Sequence, residues 1–169
     1  QLLGSGCELS GDQKKSAAAG WDKRASQGST PQGWHPGDFQ SATVLLYKYA
    51  DIRGCELLHS TMYLRATSRQ SYYVLVKYRE GQPAVEVTYM ARVLFFIKVT
   101  AQSRPDLRMA VCELYRVEKQ AGAIGTLWHA RSFKHPTHAS YAVWFHGNEL
   151  LCKHVVAQAR PGNADAWFI

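Results

Sequence analysis

With 7 His and 4 Cys in 169 residues, metal binding is the first chemistry to test. A structural zinc ion needs ligand pairs at short spacing, so that one turn or knuckle presents both donor atoms to the same ion. His135 with His138, and Cys152 with His154, stand that close. On a regular strand Cys152 and His154 fall on one face, yet a buried thiol beside a partly exposed imidazole explains the pair more simply. His135-Pro136-Thr137-His138 reads equally well as a polar loop. No metal or other cofactor is therefore expected. Nucleophilic catalysis would need a Ser or Cys on a strained turn with a base in reach. The chain has no G-x-S-x-G, and Cys112 sits in mid-strand, where burial suppresses the thiolate. Gly122 and Gly125 are not followed by Lys-Ser or by a helix, so they do not make a phosphate-cradling loop. Carboxylate pairs are scarce, and neither an enzyme nor a small-molecule partner is expected.

Polyanion binding has more behind it. The formal charge is +7, and residues 1–42 are balanced, so the whole excess lies beyond them. Arg65, Arg69, Lys77, Arg79, Arg92, Lys98, Arg108 and Arg116 fall on candidate strands or hairpin ends, interleaved with Tyr63, Tyr73, Tyr89 and Tyr115. Cations neutralise phosphates and aromatic faces stack on bases, which is how β-rich nucleic-acid binders work. The plain alternative is a solvated basic sheet face with half-buried tyrosines. Rings also cage methylated lysine by cation–π attraction, and Trp128, Tyr141, Trp144 and Phe145 supply enough of them to make cage candidates.

The elements that must position these residues are mostly strands. Val85, Val87, Tyr89, Ala91, Val93, Phe95, Ile97 and Val99 alternate with Glu86, Thr88, Arg92, Lys98 and Thr100. A helix of period 3.6 cannot sustain that pattern. The run is longer than an ordinary strand, so a bend or a bulge near Met90 to Arg92 is expected. Leu94 and Phe96 interrupt the polar register, so both sides should be covered there. Thr43–Tyr49, Glu56–Thr67, Ser71–Arg79, Leu107–Glu118, Leu127–Phe133, Tyr141–Phe145 and Leu150–Ala157 are further strand candidates, separated by Gly, Pro and Asp turns. The expectation is an all-β fold: one antiparallel barrel or barrel-like sandwich of about seven or eight strands spanning residues 41–169. Its expected core is Val85, Val87, Tyr89, Val93, Phe95, Ile97, Met109, Val111, Val143 and Val155.

Residues 1–40 read as a flexible segment rich in Gly, Ser and Pro, too poor in apolar groups to offset the entropy of ordering. Trp21 and Trp34 are its exceptions, and Trp34 is expected to dock because His35-Pro36-Gly37-Asp38 turns the chain behind it. Cys7, Cys55, Cys112 and Cys152 are scattered without a C-x-x-C pair, as in reduced, mostly buried thiols. No apolar run approaches the roughly 18 to 20 residues of a membrane helix, and no hydrophobic signal core is present. An intracellular location away from membranes is expected. The Gln at position 1 suggests a piece of a longer product.

The segments Met90–Ile97 (MARVLFFI), Leu107–Tyr115 (LRMAVCELY), Gly125–Trp128 (GTLW) and Val155–Gln158 (VVAQ) resemble, in order, the carboxyl-terminal tail of transposon-encoded proteins of the Kyakuja-Dileera-Zisupton group. There an A-x-V-x-F-F strand precedes a Tyr-containing one, and a V-V-A strand closes the domain. The same order is similar to bromo-adjacent homology domains, β-rich chromatin readers, with Arg92 and Tyr115 in the matching places. No acidic triad of a transposase is present. The resemblance implies a non-catalytic DNA- or chromatin-binding accessory module of a mobile-element protein, acting in the nucleus and touching other regions of its parent chain. The competing expectation is a protein-interaction or assembly domain using an exposed apolar sheet face at Leu94 and Phe96.

Overall fold

The computed structural model describes residues 1–26, 30–51, 57–62, 72–80, 83, 85–122, 125–132, 142–146, 150–154, 157–158 and 166–168. In chain order these hold β1 (Leu2–Leu3), β2 (Cys7–Glu8), α1 (Gly11–Ser26), a 3-10 helix (Pro36–Ser41), β3 (Thr43–Tyr47), β4 (Tyr49–Ala50) and β5 (Leu58–His59). There follow β6 (Tyr73–Glu80), β7 (Val85–Thr100), β8 (Leu107–Gly122), β9 (Gly125–Ser132), β10 (Ala142–His146), β11 (Leu150–His154), β12 (Ala157–Gln158) and β13 (Ala166–Phe168). Strands dominate, as the alternation requires. They form antiparallel sheets of 3 and 10 strands.

The large sheet is built on β7 and β8, 16 residues each, paired as one long ribbon. One edge of β7 is shared: β6 pairs with its first half and β3 with its second. The free edge of β8 is shared likewise, by β10 near its start and β9 near its end. Because each long strand takes two partners in succession, the sheet branches instead of wrapping round. The described pairings run from β11 through β6, β7, β8, β9 and β13 to β12 without returning. Among the described residues the sheets are antiparallel and no closed barrel forms, which departs from the barrel of the expected barrel or barrel-like sandwich.

A single extra residue in β7 organises the two halves of the ribbon. Val93 pairs with Cys112, but Phe95 pairs with Val111, which leaves Leu94 as a bulge. The expected bulge therefore lies just past the Met90–Arg92 window. Directly opposed residues share a sheet face, and 111 and 112 face opposite ways. The unbroken odd-numbered apolar series consequently divides, with positions 85–93 on one face and 95–99 on the other. Thr61 seals the place where β6 gives way to β3. Its N–H donates to the Val93 carbonyl at 2.9 Å and its Oγ1 to the Leu94 carbonyl at 3.2 Å.

On the second face Phe95, Ile97, Val99, Leu107, Met109, Val111 and Leu46 form the main core. Val93, Phe96, Ala110 and Cys112 are buried outside that cluster, so the ribbon is covered on both sides around its bulge, as Leu94 and Phe96 implied. Of the expected core residues, Val85 is 59% exposed at its strand end. Val87, Tyr89 and Val143 have no described side-chain environment, and Val155 lies outside the described residues.

The main core is closed by residues read as a linker, a second correction. Ser10 and Gln13 make a capping box: Ser10 N–H donates to Gln13 Oε1 at 2.8 Å, and Gln13 N–H to Ser10 Oγ at 3.3 Å. From there α1 buries Ala17, Gly20, Trp21 and Arg24 along one stripe. Two small residues in that stripe let the helix approach closely, so it needs few large apolar groups. Trp21 is 1% exposed, stacks on Phe39 at 5.3 Å and meets Trp34 edge-on at 5.8 Å. Its Nε1–H donates to the Pro36 carbonyl at 2.7 Å. Trp34 docks as expected, its Nε1–H donating at 3.0 Å to the carbonyl of Pro105 in the turn between β7 and β8. Gly33, at φ +83°, lies beside the Pro105 ring and gives the chain that approach. Arg104 in the same turn pairs with Asp38 at 2.9 Å.

Trp21→Ala and Phe95→Ala are each expected to cost about 3–5 kcal/mol in urea unfolding followed by circular dichroism. A loss under about 1 kcal/mol at Trp21 would return residues 1–40 to a loosely held segment. The backbone hydrogen bond from His35, assisted by Arg104, holds the Asp38 carboxyl below the usual carboxylate range. A depressed carboxyl contributes its stability fully above the unfolded-state pKa and loses it as pH falls through the folded one. Asp38→Asn should therefore flatten the acid limb of the stability–pH curve below about pH 4. An unchanged limb would show that this contact does not hold the fold.

Candidate nucleic-acid interface

Among the described residues the metal and nucleophile candidates do not build a site. Cys152 and His154 both lie in β11, but pairing with β6 steps from Leu151↔Leu75 to His154↔Val74. The regular alternation that would put them on one face is interrupted there. His135 and His138 lie outside the described residues. Among the described residues no three His, Cys, Asp or Glu gather as metal ligands. Burial, with the charge of Glu113 adding to it, pushes the Cys112 thiol far up, so it stays protonated and unreactive.

The basic residues divide across the sheet. Lys77 and Arg79 occupy odd positions of β6, paired with Thr88 and Glu86. Those even positions of β7 share a face with Arg92, which is opposite Glu113. Lys98 and Arg108 are opposed to each other, and Arg116 is opposed to Tyr89. The latter three fall on the other face. The bulge at Leu94 and the parity of β8 place these six residues on two faces. Arg65 and Arg69 lie outside the described residues.

Local partners temper the charge. Arg92 Nε lies 3.0 Å from Glu113 Oε2, with the arginine side chain 36% exposed. Lys98 Nζ lies 2.8 Å from Asp106 Oδ2, and that hydrogen bond holds the Asp106 carboxyl below its ordinary range. Arg108 is exposed beside them. The Lys98–Asp106 pair is open to water on both sides, so it is weak and exchanges readily for a phosphate, whereas the Arg92 Nε is itself buried. On the face carrying Lys77 and Arg79, Glu86 is exposed and Arg92 half-buried. On the reverse side Val74, Ala91 and Val93 are buried.

The proposed aromatic cage is not brought together. Trp144 and Phe145 lie in β10 opposite Val111 and Ala110, whereas Trp128 lies in β9 opposite Lys119. Eight positions of β8 separate Trp144 from Trp128, about 26 Å of extended chain, and a cage needs rings within about 6 Å of one cation. Tyr141 lies outside the described residues. The register instead joins two residues the sequence reading passed over: Trp167 of β13 is opposite Trp128, and Lys119 is opposite Trp128 on the other side. Lys119 has the parity of Tyr115 and could have been found by extending that alternation along β8. Trp167 gives no such signal, because it reaches Trp128 only through the pairing of distant strands.

Searches for related proteins return no matching protein-family model, curated protein or solved structure. No helix among the described residues is long and apolar enough to cross a membrane.

Alkylation of the native protein, mapped by mass spectrometry, is expected to label exposed Cys7 and spare Cys112 until the chain unfolds. Fast native labelling of Cys112 would contradict its burial and return it to consideration as a nucleophile.

Proposed function

We propose that the chain is a non-catalytic nucleic-acid-binding module, with DNA or DNA in chromatin as its partner. The observation that carries this reading is the common register of Lys77, Arg79 and Arg92 on one face of the β6–β7–β8 sheet. Lys77 and Arg79 are two positions apart on β6, and Arg92 of β7, opposite Tyr73, lies four positions along from Lys77, about 13 Å of extended strand, a span over which a polyphosphate backbone can engage several cations at once. The acids among them, Glu86 and Glu113, are outnumbered. The resemblance to the tail of transposon-encoded proteins supports an accessory role beside a catalytic part of a nuclear mobile-element protein. The assembly reading has less support, since Phe96 is 1% exposed and Leu94 packs against the main core.

Binding to a labelled duplex, read by fluorescence anisotropy, should weaken with salt at a log–log slope of about −0.9 per phosphate neutralised. Replacing Lys77 and Arg79 together by Gln should flatten the slope by roughly two units. The pair Lys98→Gln and Arg108→Gln, on the opposite face, should leave it unchanged. Equal effects of the two pairs would remove the face assignment. No binding to either duplex or single strand at low salt would remove nucleic acid from the reading and leave the +7 charge as a soluble surface.

A further inference from the structure

The strand register extends the basic face toward β12. Lys119 of β8, Trp128 of β9, Trp167 of β13 and Gln158 of β12 stand in one row of directly opposed positions. Parity places that row on the same face as Lys77, Arg79 and Arg92, because β8 is regular from Glu113, opposite Arg92, to Lys119. Two tryptophan positions thus adjoin on neighbouring strands, with a lysine position beside one of them. We infer that this face selects single-stranded over double-stranded nucleic acid, with Trp128 and Trp167 as its stacking positions; the inference rests on the nucleic-acid reading above.

Two arguments carry it. The π face of a base is open to an aromatic ring only when the base is unstacked, whereas a duplex offers base edges in its grooves. The row also spans four strands, so its backbone alone is about 14 Å wide at 4.8 Å per strand. A major groove about 12 Å wide admits a helix or a two-stranded ribbon, not this sheet. A flexible single strand has no such restriction and can lay successive bases along the row while its phosphates meet the cations.

The test uses oligo(dT), oligo(rU) and a duplex of matched length with the full chain. Both single strands should bind more tightly than the duplex, and should quench tryptophan fluorescence where the duplex does not. Trp128→Leu and Trp167→Leu keep an apolar strand residue but remove the π face. Each should weaken single-strand binding roughly 5- to 150-fold and leave duplex binding and its salt slope unchanged. Trp128→Phe, which keeps a ring, should restore most of the affinity, and it serves as the test if the Leu variants do not fold. A duplex preference, absence of quenching, or a Phe variant as weak as Leu would overturn the inference while duplex binding sustains the broader reading. A wild type that binds neither form would overturn both.

Discussion

The backbone ladder between β7 and β8, with its one extra residue at Leu94, is the constraint on which the molecule depends. Every other strand of the large sheet attaches to this ribbon directly or through a neighbour. The extra residue turns one apolar series into two, one toward the α1 core and one toward the reverse side. A ribbon with an apolar face on each side at its middle must be covered twice. The cover on one side is α1 with the two tryptophans; on the other, Val93, Phe96, Ala110 and Cys112 are buried apart from that core. The bulge also opens a gap in the edge pairing, and the hydrogen bonds of Thr61 close it.

The amino-terminal segment is held by few but well-placed contacts. Trp21, Trp34 and Phe39 bring large apolar area to a segment otherwise poor in it, and both indole N–H groups are satisfied by carbonyls of prolines. That matters because a buried, unpaired donor would offset much of the gain from burying the ring. Asp38 and Arg104 then join the 3-10 helix to the ribbon's turn. The Trp34 and Asp38 contacts end on Pro105 and Arg104, so the turn that joins β7 to β8 is also where the amino-terminal segment is fastened.

The sequence makes the long strands legible because alternation over residues 85–99 has only one structural reading. It cannot reveal where the extra residue sits, since a bulge preserves the printed alternation while reversing its meaning. That is why Lys98 shares the register of Arg92 in the sequence and lies on the opposite face in the structure. The helix α1 was legible in part: Ser10-Gly11-Asp12-Gln13 is a capping-box pattern, Ala17-Ala18-Ala19 favours helix, and Lys23 and Arg24 suit its last turn. Composition outweighed those signals because the buried stripe uses Ala and Gly where large apolar residues are normally sought. The Trp128–Trp167 row was not legible, because nothing local in a chain specifies which distant strands will pair.

The claim that the bulge sorts the ribbon's residues onto two faces can be read directly from Cα-proton to Cα-proton and amide contacts between β7 and β8 in nuclear magnetic resonance spectra. The account predicts contacts matching Ala91 with Leu114 and Val93 with Cys112, then a one-residue step to Phe95 with Val111 and Ile97 with Met109. A single uninterrupted register, with Phe95 opposite Ala110 and Ile97 opposite Arg108, would contradict it. In that case Lys98 would share a face with Lys77, Arg79 and Arg92 instead of with Arg108 and Arg116.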